Sequence, residues 1–178
     1  GAIFVLGAEG GHAFPVFNAN IFRNNQAVIN GGAIEIFGKS GEAQPKFQDC
    51  LFENNQAEYG GGIYCDGTFN GNCSPSLDNC TFSGHHAGRD GGAIYINASL
   101  NGNAQYALAA CTLTGNTAGG EGGAVFCSSS DGGKAGGSVQ HTVFKNNAAS
   151  GNSGAWMVVA KTGEGNPPFF NCRFESNE

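Results

Sequence analysis

Within seven residues, Gly84-His85-His86-Ala87-Gly88-Arg89-Asp90 gathers two imidazoles, a guanidinium and a carboxylate. His85 and His86 could act as proton-transfer groups, because imidazole titrates near neutrality, and Arg89 could grip a substrate carboxylate. In a folded chain Asp66, Asp78 or Glu121 could join them from a neighbouring stretch. The chemistry of such a set would be cleavage of an acidic polysaccharide.

What would position these residues is a repeat. A pattern FxxN places an aromatic or Leu at Phe22, Phe52, Phe82, Leu113, Phe144 and Phe174, spaced 30, 30, 31, 31 and 30 apart. A second pattern, two glycines, a small residue and an apolar one, places Ile34, Ile63, Ile94 and Val125 in the same phase, with Ile3 and Trp156 as outlying copies. A third apolar position lies five before each FxxN aromatic: Phe17, Phe47, Leu77, Leu108, Val139 and Phe169. The apolar residues alternate (Ile34/Ile36, Ile63/Cys65, Ile94/Ile96, Val125/Cys127), which is strand periodicity, and no 3.6-residue stripe appears. Two or three short strands per lap cannot bury a face alone, but stacked laps can, each strand pairing with its next copy. The expectation is therefore an all-β, single-stranded parallel β-helix of about six turns of 30–31 residues, a rod of about 29 Å.

Gly31-Gly32, Gly60-Gly61, Gly91-Gly92 and Gly122-Gly123 should form one corner, where φ is positive and stacked backbones approach closely. Asn25, Asn55, Asn116 and Asn147 should stack as a hydrogen-bonded ladder at another, with Asn177 beyond them and His85 interrupting.

The alternating GGA[ILV] and FxxN motifs resemble the repeats of the chlamydial polymorphic outer membrane proteins, and the resemblance covers essentially the whole chain. Departures are FSGH and LTGN at the FxxN site and SGAW at the glycine site. The resemblance implies a right-handed β-helix displayed outside the cell, in bacterial members as the passenger of an autotransporter, and adhesion instead of catalysis. Residues 1–178 read as one β-helix segment, an excerpt of something longer.

Composition agrees with an extracellular or cell-surface rod. Charged residues are only 12%, the net charge is −6, and Lys and Arg are scattered singly, so no basic face for nucleic acid or anionic lipid is present. The longest apolar run, Ala155–Ala160, is too short to insert in a membrane. The chain lacks the paired-Asp strand motifs of pectin hydrolases and the clustered Asp and Lys/Arg of pectate lyases. It also lacks a zinc-type Cys/His spacing and the calcium nonapeptide, so no metal and no cofactor are expected. His85 then reads as a ladder residue, His86 and Arg89 as solvated corner residues, and Asp90 as the equivalent of Asn30, Glu121 and Asn152.

Between the inward positions, Phe4, Glu35, Tyr64, Tyr95, Phe126 and Met157 should point outward in one column. Tyr64, Tyr95, Phe126 and Met157 make that column a candidate contact stripe for other protein chains, a surface receptor or further copies in a filament, or for glycans. It could equally be covered by the segments that follow it, CDGTFNGNCSP, NASLNGNAQYA and CSSSDGGKAGGS, read as long loops. Of seven cysteines, Cys50, Cys80 and Cys111 share an inward slot, also held by Cys172, and read as free stacked thiols. Cys65 and Cys73 could close a local disulfide. Three glycosylation sequons start at Asn72, Asn79 and Asn97; the first and last fall in the segments read as loops, and Asn79 is expected to be hindered by the cysteine beside it.

Overall fold

The alternating apolar pairs form strands, and every strand pairs in parallel with its copy one lap later. The computed structural model describes all of residues 1–178 and contains strands and tight corners without any helix. It is a parallel β-solenoid of about six turns. Sheet 1 holds Ile3–Leu6, Ile34–Phe37, Ile63–Asp66, Ile94–Ser99, Val125–Ser130 and Trp156–Lys161 in that order. Its register aligns Ile3, Ile34, Ile63, Ile94, Val125 and Trp156 in one column. Sheet 3 stacks the FxxN strands, from Ile21–Arg23 to Arg173–Glu175, and the small sheet 4 stacks Gln56–Ala57, His86–Ala87, Thr117–Ala118 and Ala148–Ala149.

Sheet 2 shows how one residue type sets local structure. In the early turns its strands come in pairs, such as Glu42–Ala43 with Lys46–Gln48 and Asn72–Cys73 with Ser76–Asp78. The break falls at Pro45 and Pro75, which have no N–H to give the ladder. Where Tyr106 and then Gly137 occupy that column, the strand runs unbroken over Asn103–Ala109 and Lys134–Gln140. The segments expected as long loops are thus the ends of sheet 1, a corner, and the start of sheet 2. They do not fold back over the outward column.

Inside the coil, like stacks on like. Phe52 and Phe82 lie 4.4 Å apart with nearly parallel planes, Phe22 and Phe52 4.7 Å, and Phe17 and Phe47 4.9 Å. Ile34, Ile36, Ile63, Ile94, Ile96, Leu108 and Val125 are buried with them. Each such aliphatic side chain contributes about 1.5–3 kcal/mol on burial.

The glycine pair divides two tasks. Gly31, Gly60, Gly91 and Gly122 have φ between 56° and 69°, in the left-handed region. The second glycines, Gly32, Gly61, Gly92 and Gly123, carry the close approach: a Cβ on any of them would lie inside contact distance of a backbone carbonyl of the next turn. In the sixth copy Ser153 takes the first position, at φ 63°, and its hydroxyl donates to the Trp156 carbonyl, while Gly154 keeps the second.

Candidate functional site

The four residues of the proton-transfer set do not converge. The left-handed residue Gly84 turns His85 inside the coil, 1% exposed, and leaves His86 outside, where its Nδ1 lies 3.0 Å from Thr117 Oγ1. Arg89 is exposed and pairs with Glu58 at 2.8 Å in an open groove of about 410 Å³ that includes Gln26, Val28 and Gln56 but neither histidine. Asp90 accepts the Glu121 N–H at 2.8 Å. Of the other acids named with them, Asp66 lies on sheet 1 and accepts the Thr68 N–H, and Asp78 is exposed on sheet 2. Nowhere do three His, Cys, Asp or Glu side chains come together as a metal-holding group.

The asparagine ladder is inside, one residue beyond the turn. The residue before each ladder position, Asn24, Asn54, Gly84, Gly115, Asn146 and Ser176, takes the left-handed conformation. That turn swings the following side chain into the coil. Each amide oxygen there accepts from the turn below: Asn55 Oδ1 takes the backbone N–H and the Nδ2–H of Asn25, both at 2.9 Å, and Asn147 Oδ1 does the same for Asn116 at 3.0 and 2.8 Å. Each Nδ2 also donates to a carbonyl 33 or 34 residues back, Asn55 to Phe22 and Asn116 to Phe82. Asn55, Asn116 and Asn147 are essentially fully buried, so these bonds have no competition from water.

The thiol slot follows a similar turn. Ala19, Asp49, Asn79, Ala110, His141 and Asn171 have φ of 51–54°, and the next side chain turns inward. Cys50, Cys80 and Cys111 each donate a weak S–H bond across the turn, at 3.3 Å, to the carbonyl two residues back; Thr142 Oγ1 does so at 2.9 Å. The slot requires a short side chain with one hydrogen to give. These thiols are free and buried. Burial pushes Cys50 above the ordinary thiol range; the Cys111 thiol beside it and burial push Cys80 above it too. Cys50 and Cys80 are therefore packing groups, while the Cys80 thiol pushes Cys111 below the ordinary range.

Cys65 and Cys73 form a disulfide across the coil between sheets 1 and 2. Cys127 repeats the position of Cys65 two turns on, and Ala135 repeats that of Cys73, again eight residues away. Cys127 Sγ instead faces the Tyr106 hydroxyl at 3.6 Å, and burial pushes its thiol up to about 12. Oxidised Ala135→Cys should therefore close a second bridge and gain about 2–3 kcal/mol in urea unfolding. Peptide mapping without reductant checks the bond; a free Cys127 in that variant would refute the equivalence of the two turns.

The sequons also move. Asn72 and Asn97 lie in strands, half-buried, and accept from the serines of their own sequons, Ser74 and Ser99. Asn79 is the exposed one, at a left-handed corner, with its amide on Asp49 at 2.6 Å.

On the outer face of sheet 1 the register stacks Tyr64 on Tyr95 and Tyr95 on Phe126, each pair 5.2 Å between centroids with planes within 27°. Tyr59 meets Tyr95 edge-on at 5.3 Å. Phe126 is 7% exposed and stacked on Tyr95 within the column, so it offers little of itself for contact. Tyr64, Tyr95 and Met157 are half-buried, and Phe4 is exposed. Burial, then Asp66 for Tyr64 and Asp90 for Tyr95, pushes both phenols above their usual range. Both therefore stay protonated donors through physiological pH.

Compared with models of known families, residues 49–66, 66–97 and 110–128 match the Chlamydia polymorphic membrane protein repeat. The matched stretches hold FENN with YGGGIYC, FSGH with DGGAIYI, and LTGN with EGGAVFC, so both departures from FxxN fall inside them. No curated protein and no solved structure matches the chain.

Proposed function

We propose that this chain, which carries the Chlamydia polymorphic membrane protein repeat on a β-solenoid, is a rigid adhesive segment of a cell-surface protein. It works by contact and not by catalysis. The observation that carries this reading is the sheet 1 column, in which the pairing register lines up Tyr64, Tyr95 and Phe126 with Met157 along the rod. Its partner is another protein chain. Sugar rings bind aromatic faces, and here those faces are spent on each other, leaving half-buried tyrosine edges at the surface. Edges of this sort suit a protein surface. The dispersal of His85, His86, Arg89 and Asp90 supports a role without turnover.

The test uses beads coated with the protein and a panel of cultured cells. Tyr64→Ser with Tyr95→Ser should reduce attachment about tenfold, while His86→Ala with Arg89→Ala leaves it unchanged and the far-ultraviolet dichroism of all variants is alike. A tenfold loss corresponds to about 1.4 kcal/mol, well within what two interface tyrosines supply. Full attachment by the tyrosine variant would overturn the assignment of the face. Release of reducing ends from an acidic glycan, abolished in the His86/Arg89 variant, would overturn the non-catalytic reading.

A further inference from the structure

The asparagine ladder is broken once, and the break has its own chemistry. His85 occupies the ladder column between Asn55 and Asn116. Its Nδ1 accepts the Asn55 N–H at 3.0 Å, and its own N–H donates to Asn116 Oδ1 at 3.0 Å. Accepting at Nδ1 places the single proton of the neutral ring on Nε2, which is buried and has no partner. The ring stands edge-on to Phe82 at 5.9 Å and reaches toward Gly62. Every other turn has Ala at that place (Ala33, Ala93, Ala124, Ala155); a Cβ on Gly62 would lie 2.8 Å from the Ala93 carbonyl oxygen, 3.3 Å from Nε2 and 3.4 Å from Cδ2. The ring thus adds to the crowding that a methyl would meet there.

We propose that His85 is an acid-released latch between two turns of the solenoid: a second proton has to enter at Nδ1, where it displaces the Asn55 N–H and opens the turn-to-turn contact. No charged group is placed to welcome the cation. From the turn below, Asn55 and the Phe52 carbonyl face the ring; from the turn above, Asn116; across the coil, Gly62. The charged residues of the packed elements point outward to other partners, Glu53 to Arg23, Glu58 to Arg89, Asp90 to the Glu121 N–H, and His86 lies on the outside. Burial accordingly lowers His85 to about 4, against about 6.5 when unfolded. The open state therefore binds the extra proton first. Latch stability is full above about pH 6.5, falls about tenfold per pH unit below it, and levels off below about pH 4.

Hydrogen exchange, expressed as protection factors so that intrinsic rates cancel, tests this. Between about pH 7 and pH 4.5 the Asn55 and His86 amides should lose about 100-fold in protection. Amides around Trp156, more than two turns away, should not follow. His85→Asn, alone and with Gly62→Ala to restore the pair found in the other turns, should make the Asn55 amide insensitive to pH over the same range. Equal pH dependence in the wild-type protein and either variant, or no loss at Asn55 in the wild type, would overturn the latch.

Discussion

Gly92→Ala is expected to lower the melting temperature by about 8–16 °C, the equivalent of about 4 kcal/mol or more for a chain of this size. The new methyl would press on the carbonyl oxygens of Gly123 and Thr117, both backbone atoms of the next turn. A flexible side chain could step aside; a stacked carbonyl cannot, because its own turn is tied in register to the one beyond. Gly123 donates to the Ser153 carbonyl at 3.0 Å, and Gly92 itself donates to Gly122 at 3.1 Å. A shift at Gly92 therefore propagates along the rod, and in a solenoid held by nearest-turn contacts it should divide one unfolding transition into two. Gly91→Ser is the control. It meets the left-handed penalty of about 1–2 kcal/mol and the Ile94 carbonyl of its own turn, not a carbonyl of the next one, and Ser153 already stands at the equivalent corner. Calorimetry showing the two variants equally stable would sink the division of labour between the paired glycines.

Asn116→Ala should cost about 3–5 kcal/mol in urea unfolding, through unmet partners and not lost volume. The amide oxygen of Asn116 satisfies the His85 N–H, and its Nδ2 satisfies the Phe82 carbonyl at 3.2 Å and Asn147 Oδ1 at 2.8 Å. All of these lie in the buried centre, where each unsatisfied polar group costs about 1–3 kcal/mol. Asn25→Ala removes the same kind of side chain from a half-buried position where water can substitute, and should cost about 1 kcal/mol. A difference of less than about 1 kcal/mol between the two would mean that the ladder follows the stacking instead of holding it.

Much of this architecture is legible in the chain because a solenoid turns long-range pairing into sequence periodicity. Ile34, Ile63, Ile94 and Val125 recur at nearly constant spacing, and in register they must become one column. Pro45 and Pro75 declare where a ladder breaks. The corners were harder. Gly, Asn and Ser after Cys65, Ile96 and Cys127 read as loop, yet the backbone there keeps pairing with the next turn. This is why Asn72 and Asn97 lie in strands and Asn79 stands exposed.

His85 was legible as a ladder residue and His86 as a solvated one, but that the ladder lies inside the coil was beyond a reading by type. His85 and His86 are chemically identical, and a single left-handed residue, Gly84, sends the first inward and the second out. The sequence by itself determined the lap length, the register and the inward columns, since all three follow from local alternation repeated at a fixed interval. Only the tertiary structure decided exposure: that Phe126, stacked on Tyr95, is buried, that Arg89 is engaged by Glu58, and that His85 has no charge to face. Exposure depends on side chains a full turn above and below, about 30 residues away, and on the angle of each corner between them.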